Sequence, residues 1–208
     1  MLRRWIIIAA MLVSGFACGQ AAAQEAIGSV SRIQGEARGT RGSTTQALGL
    51  NTSVFRNEVV STGEEGRLEI IFTDDTRLTL GEKAKLTLDR YVFNPAAGSG
   101  MIRFRVVGAL RFLSGQVSKL RTSVVSITTP VAVAGVRGTE FWAGPIDNQA
   151  LGVLLIEGAV SVSNSAGERI LGQPGQGTNI AARGAAPGPV TFWPPDKVNR
   201  ALAAVTFR

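Results

Sequence analysis

Residues 128–143 read TTPVAVAGVRGTEFWA, and within them one arginine, Arg137, is bracketed by Gly135 and Gly138. A guanidinium presents its donors as a planar fork, so an arginine on a constrained corner can clasp a carboxylate or backbone carbonyls. Glu140, Asp147 and Glu157 are the nearby carboxylates in sequence. The two glycines permit backbone angles that a side chain forbids, which makes GVRGT a kink or a tight crossing. Pro130 cannot donate a ladder hydrogen bond and belongs at an edge or a strand start, after which Val131 and Val133 resume alternation. Thr129, Pro130, Gly135, Val136, Arg137, Gly138, Thr139, Glu157 and Gly158 therefore read as a structural corner. For Arg137 the expectation is an internal salt bridge or carbonyl clamp rather than a partner contact, so that Arg137→Ala lowers the melting temperature.

Other residues bear on chemistry by their type or their absence. The chain has no histidine, and its one cysteine is Cys18. With Cys18 removed in processing, disulfides, Cys-His nucleophiles, Ser-His-Asp triads, ordinary zinc sites and the usual haem attachment are excluded. No cofactor, metal or catalytic residue is assigned. An enzyme would need a carboxylate pair, and Glu64-Glu65 and Asp74-Asp75 are the adjacent pairs. Neighbours on a strand point to opposite faces, so both pairs read better as turn residues. Trp142 and Trp193, with Phe141 and Phe192, are the candidate contact aromatics for stacking on a sugar polymer, although aromatics at strand positions more often belong to a core.

The elements that must position these residues are short strands. Gly is frequent, Val, Ile and Thr are plentiful, and helical periodicity is scarce. In RLEIIFTDDTRLTLGEKAKLTLDRY, Leu68, Ile70 and Phe72 alternate, Asp74-Asp75 turn the chain, and Leu78 and Leu80 alternate again, which predicts a hairpin. Leu86 and Leu88 restart the period in a third strand. Three segments, Ile33–Ala37, Leu113–Val117 and Ile156–Val160, each place Gly between apolar positions, as where a strand bends at a close approach of two layers; chance in a Gly-rich chain is the other reading. Residues 181–195 read as a Pro/Gly linker. From Asp196 to Val205 a brief helix is expected, with Val198, Leu202 and Val205 on one face and docked on the β-body.

Arg3 and Arg4 precede an apolar run and a small-residue stretch ending in Ala21-Ala22-Ala23, the pattern of a cleavable secretory signal over 1–23. No later stretch reaches about 18 uninterrupted apolar residues, so no stable membrane insertion is expected after cleavage. Lipidation at Cys18 is disfavoured because Gly15 stands where such signals place Leu. A periplasmic location follows as an expectation. Eighteen of the 22 basic residues are arginine, scattered without long runs, and the formal +7 falls to about +5 without Arg3 and Arg4. That reads as a solvated mixed-charge surface, not a nucleic-acid interface.

With Thr129-Pro130, Val136-Arg137-Gly138-Thr139, LLIEGAVSV and the upstream TGEEGRLEIIFTDDTRLTLGEKAKLTLD in that order, the chain resembles the FecR protein domain from about Val59 to Val162. The resemblance implies an extracytoplasmic β-rich domain; with the residue pattern, the expected fold is all-β, of β-sandwich or β-solenoid type, with a short C-terminal helical tail. It is best known from regulators that relay the state of an outer-membrane iron-siderophore receptor to an inner-membrane sigma-factor system. Those regulators carry a cytoplasmic anti-sigma segment and a membrane helix before the domain, whereas a signal opens this chain, so direct sigma-factor control is not expected. The implied layout is a signal over 1–23, a strand-rich extension over 24–58, the FecR-like domain over 59–162, a β continuation over 163–180 and a linker with a short helix over 181–208. The expected function is a non-catalytic envelope signalling or protein-binding module with an envelope protein as partner; the alternative is a binder of cell-wall or surface polysaccharide. Oligomeric state is not legible.

Overall fold

The computed structural model describes residues 25–208; the signal peptide expected over 1–23, with Cys18, lies outside the described residues. The strands there are β1 (Ala26–Gln34), β2 (Ala37–Arg41), β3 (Thr44–Ala47), β4 (Ser53–Phe55), β5 (Val59–Thr62), β6 (Arg67–Phe72), β7 (Arg77–Leu80), β8 (Lys85–Asn94), β9 (Ser99–Val107), β10 (Leu110–Leu113), β11 (Thr122–Thr128), β12 (Val133–Ile146), β13 (Gln149–Asn164), β14 (Gly167–Leu171), β15 (Gln176–Ile180) and β16 (Thr191–Phe192). A 3-10 turn covers Gln116–Lys119, and one helix, α1 (Pro195–Ala203), follows the last strand.

Period-two alternation explains most of these elements. In β9, Ile102, Phe104 and Val106 are buried while Arg103, Arg105 and Val107 face outward. The expected hairpin forms between β6 and β7, with Leu68 opposite Leu80 and Ile70 opposite Leu78. Asp75 takes a positive φ of 66° in its turn, a conformation Asp tolerates better than most residues. The strand carrying Leu86 and Leu88 does not continue that hairpin: β8 pairs with β5 and β9.

All strands belong to one hydrogen-bonded sheet that curls on itself, in the order β3-β2-β5-β8-β9-β11-β12-β10-β7-β6-β1-β4, with β13 beside β12 and then β14, β15 and β16. The pairing is antiparallel except for β9 with β11, which run parallel in register from Ser99↔Thr122 to Arg105↔Thr128. One apolar cluster fills the interior, from Ile27 and Val30 through Leu68, Phe104 and Phe141 to Leu155 and Ile180. Phe72 stacks on Tyr91 and Phe104 with ring centroids 5.5 and 5.0 Å apart. Residues 24–58 join this body directly, since β1 pairs with β6 and Leu48 and Val54 enter the same core.

The stretch 181–195, expected to be a linker, is a packed strap. Ala185 and Val190 lie against the core, Asn164 Nδ2 donates to the Ala185 carbonyl at 2.8 Å, and Thr178 Oγ1 donates to that of Gly188 at 2.8 Å. The strap leads into α1, where Pro195 takes the first helical position and Asp196 and Arg200 complement the two ends of the helix dipole. Val198 and Ala201 of the helix, with Val205 just beyond its end, dock onto Trp142, Leu154 and Trp193; Leu202, expected on that face, is only half-buried. Asp147, in the β12–β13 turn, accepts from Arg200 at 2.9 Å and pairs with Lys197 at 3.2 Å. Those hydrogen bonds, Arg200 first, hold the Asp147 carboxyl below its usual range.

Candidate interaction surface

β12 does two jobs, and the GVRGT corner divides them. Its first part, Val133–Val136, pairs with β11, and its later part, Glu140–Ala143, pairs with β10. Between them the register against β13 shifts: Arg137 faces Ala159 and Glu140 faces Glu157, so Gly138 and Thr139 oppose Gly158 alone. That is a β-bulge, which bends the strand and re-aims it. Gly138 and Gly158 take positive φ values of 59° and 81°, and a Cβ on Gly158 would lie 2.2 Å from the Gly138 carbonyl oxygen. Only glycine satisfies both conditions at 158.

The bulge is held by Thr139. Its Oγ1 donates to the Ala159 carbonyl at 2.5 Å and accepts from the Arg137 and Ala159 amides, each at 3.3 Å. Its own amide donates to Ser114 Oγ at 2.6 Å, and Ser114 Oγ donates to the Thr139 carbonyl at 2.8 Å. Thr139 is buried, so the hydroxyl completes pairing that a bulge otherwise interrupts.

Arg137 does not make the clamp expected of it. Its side chain faces solvent with no carboxylate partner among the described residues. The three expected acceptors are differently placed: Glu140 pairs with Arg111, Asp147 holds α1, and Glu157 is exposed. The physical reason is parity. The bulge directs Thr139 inward and leaves Arg137 on the outer face of the sheet. Thr129 and Pro130 sit in the turn before β12, where Thr129 Oγ1 accepts from the Ala132 amide at 3.1 Å; Pro130 is exposed and loses no ladder bond there.

A second polar centre lies beside the corner, around Asp74, which the sequence marks only as a turn residue. Asp74 is fully buried, and its carboxylate accepts from Tyr91 OH at 2.9 Å, Thr76 Oγ1 at 2.7 Å, the Thr76 amide at 3.3 Å and the Val117 amide at 3.1 Å. The Asp74 carbonyl accepts from the Gln116 amide at 2.7 Å, and Thr76 Oγ1 from the Gly115 amide at 3.0 Å. A Cβ on Gly115 would lie 2.1 Å from the Asp74 carbonyl oxygen, so this glycine lets the two segments meet. Burial, and then the adjoining Asp74 carboxylate, raise the Tyr91 phenol above its usual range, which keeps it a donor. The sequence signal was the Asp-Asp-Thr run, where Asp74 can bind the amide two residues on.

The adjacent carboxylates behave as turn residues. Asp75 is exposed, unlike Asp74, and accepts from Gln116 Nε2 at 2.6 Å. Glu64 pairs with Lys83 at 2.8 Å on the surface, and that contact lowers its pKa. No group of three His, Cys, Asp or Glu able to hold a metal occurs among the described residues. The candidate contact aromatics need correction: Trp142 is 1% and Trp193 6% exposed, packed edge-on at 6.2 Å beneath α1, with Lys197 Nζ 4.2 Å above the Trp193 ring. Phe141 is also buried, and of the four only Phe192 is exposed.

Comparison with known proteins agrees with this architecture. Among curated proteins there is no sequence match. Two crystal structures of a proposed anti-sigma factor from Parabacteroides distasonis ATCC 8503 superpose with TM-scores of 0.54 and 0.56 at 15% and 14% identity. Each alignment covers 69% of this chain and 64% or 63% of the neighbour, so the chain spans less than two thirds of those proteins and the likeness is one of fold. The family model described as FecR protein matches residues 58–161, from the buried Glu58 through the hairpin, the Asp74 centre and the Thr139 corner to Ser161. The chain belongs to the FecR family.

Proposed function

We propose that the protein is an exported, non-catalytic envelope module that docks a protein partner in a signalling or regulatory relay. The observation that carries this reading is the family match over residues 58–161, laid on a sheet whose two polar centres serve to fix strands. The anti-sigma description of the structural neighbours points the same way by analogy of fold. Export rests on the signal-like residues 1–23, and among the described residues no helix is long and apolar enough to cross a membrane. The polysaccharide alternative is weakened because Trp142 and Trp193, the rings it would use, are buried.

Chemical crosslinking of the tagged protein in intact cells, with mass spectrometry of the captured species, tests the reading. A receptor, transporter or membrane sensor in the adduct supports it. Co-sedimentation with cell-wall polymer without a protein adduct contradicts it.

A further inference from the structure

The bulge in β8 gives the sheet an unusual outer face. The register against β9 shifts between Thr87 and Arg90, and Leu88 and Tyr91 are buried, so both Asp89 and Arg90 are turned outward. Asp89 is already taken: Arg105 grips it through Nε at 2.9 Å and Nη2 at 2.5 Å. Arg90 is left directly opposite Arg103, and neither has a carboxylate partner among the described residues. Like charges directly opposite one another on neighbouring strands destabilise a sheet, so the fold gains nothing from this pair.

The same row continues in register across four more strands, through Ser126, Gly135 and Ser161 to Ile170. Arg137 and Val124 stand in the adjacent row, Arg137 roughly 12 Å from Arg103 by strand rise and spacing. Gly135 has no side chain to fill the floor, and a concavity of about 510 Å³ opens there, lined by Val124, Gly135, Arg137, Ser161 and Ile170. Ile170 is 67% and Val124 46% exposed, and β14, which carries Ile170, pairs among the described residues only with β13.

We propose that this face docks an acidic, partly apolar segment of a protein partner. Arg90, Arg103 and Arg137 take its carboxylates, and Val124 and Ile170 take its apolar residues. The proposal rests on the protein-docking reading above and gives it a surface. Charge complementarity selects the occupant: two guanidinium groups directly opposite each other, with a third roughly 12 Å from Arg103 on the same face, call for several carboxylates spaced along an extended segment. The exposed apolar residues beside them favour an amphipathic peptide segment over a uniformly charged polymer.

The test uses synthetic 12-residue peptides in which Glu and Asp alternate with Leu and Val, with their Gln/Asn counterparts as controls. Anionic phosphatidylglycerol vesicles and polygalacturonate serve as competing probes. Wild-type protein is expected to bind the acidic peptides in a salt-sensitive manner and to ignore the amide counterparts. R90E/R103E should lose at least about tenfold in affinity, while Arg38→Glu, in a surface ion pair with Glu36 on the other side of β5, should bind as wild type. R90Q/R103Q should also lose binding yet melt no lower than wild type, because a like-charge pair has been removed. Acidic-peptide binding that survives R90E/R103E overturns this surface and leaves the protein-docking reading standing. Binding to vesicles or polygalacturonate without any peptide binding overturns both.

Discussion

Thr139 Oγ1 reaches across the β12–β13 bulge to the Ala159 carbonyl at 2.5 Å, while Arg137, two residues earlier on the same strand, points into solvent. The corner is thus fixed by a buried hydroxyl and a glycine, not by its arginine. Thr139→Val keeps the shape, removes the donor and leaves a buried carbonyl short of a partner, which costs about 1–3 kcal/mol. Arg137→Ala should stay within about 0.5 kcal/mol of wild type, as surface substitutions do. Urea unfolding of the two variants separates them; equal losses, or a larger loss at Arg137, would contradict this division of roles.

Asp74 and Tyr91 should be coupled. Asp74→Ala strands Tyr91 OH, Thr76 Oγ1 and the Val117 amide together, and a loss of about 1–3 kcal/mol for each buried donor left without its acceptor is expected. Tyr91→Phe should cost about 1–2 kcal/mol, and the double variant less than the sum. Additive losses in the cycle would mean that the two side chains act independently.

Glu58 supplies a pH signature. It is fully buried, its Oε2 accepts from the Phe55 amide at 2.9 Å, and its Oε1 has no partner among the described residues; burial raises its pKa above the ordinary 4.5, against smaller opposing effects from that amide and Arg41. A carboxyl with a raised folded pKa binds its proton more tightly in the folded state, so its contribution to stability falls as pH rises from about 4.5 through the folded pKa. Relative to wild type, Glu58→Gln should therefore gain in melting temperature between pH 4 and pH 7.5. A difference that is flat with pH would refute this.

Ala201 is fully buried where α1 meets Trp142 and Trp193. Ala201→Asp places an unpaired carboxylate in that seam and should undock the helix, at a cost of several kcal/mol. Tryptophan emission should shift to the red and become quenchable by acrylamide, while the far-ultraviolet β signal persists. Unchanged quenching would mean that the rings are shielded without the helix.

The sequence carried the local part of this architecture. Alternation at Leu68–Phe72 and Leu78–Leu80, with an Asp-rich turn between, sufficed for the hairpin, and the Pro/Gly punctuation located the corner. Long-range pairing was not legible: nothing local to Leu86 reveals that β8 leaves the hairpin for β5 and β9, or that β9 and β11 run parallel. Side-chain parity was lost wherever a bulge intervenes. The β12 bulge turns Arg137 outward against the alternation, and the β8 bulge sets Arg90 opposite Arg103, neither of which local periodicity reveals. The burial of Trp142 and Trp193 depends on a helix that arrives more than 50 residues after Trp142, beyond any window of periodicity.

The most direct test of protein docking on this sheet face is site-resolved photocrosslinking in intact cells, with a benzophenone side chain placed at Val124, at Ile170 and, as a reference, at exposed Thr45. Discrete protein adducts from Val124 and Ile170, absent from Thr45 and lost when R90E/R103E is added, are the predicted result. Protein adducts at none of the three positions, or at Thr45 alone, would contradict the account.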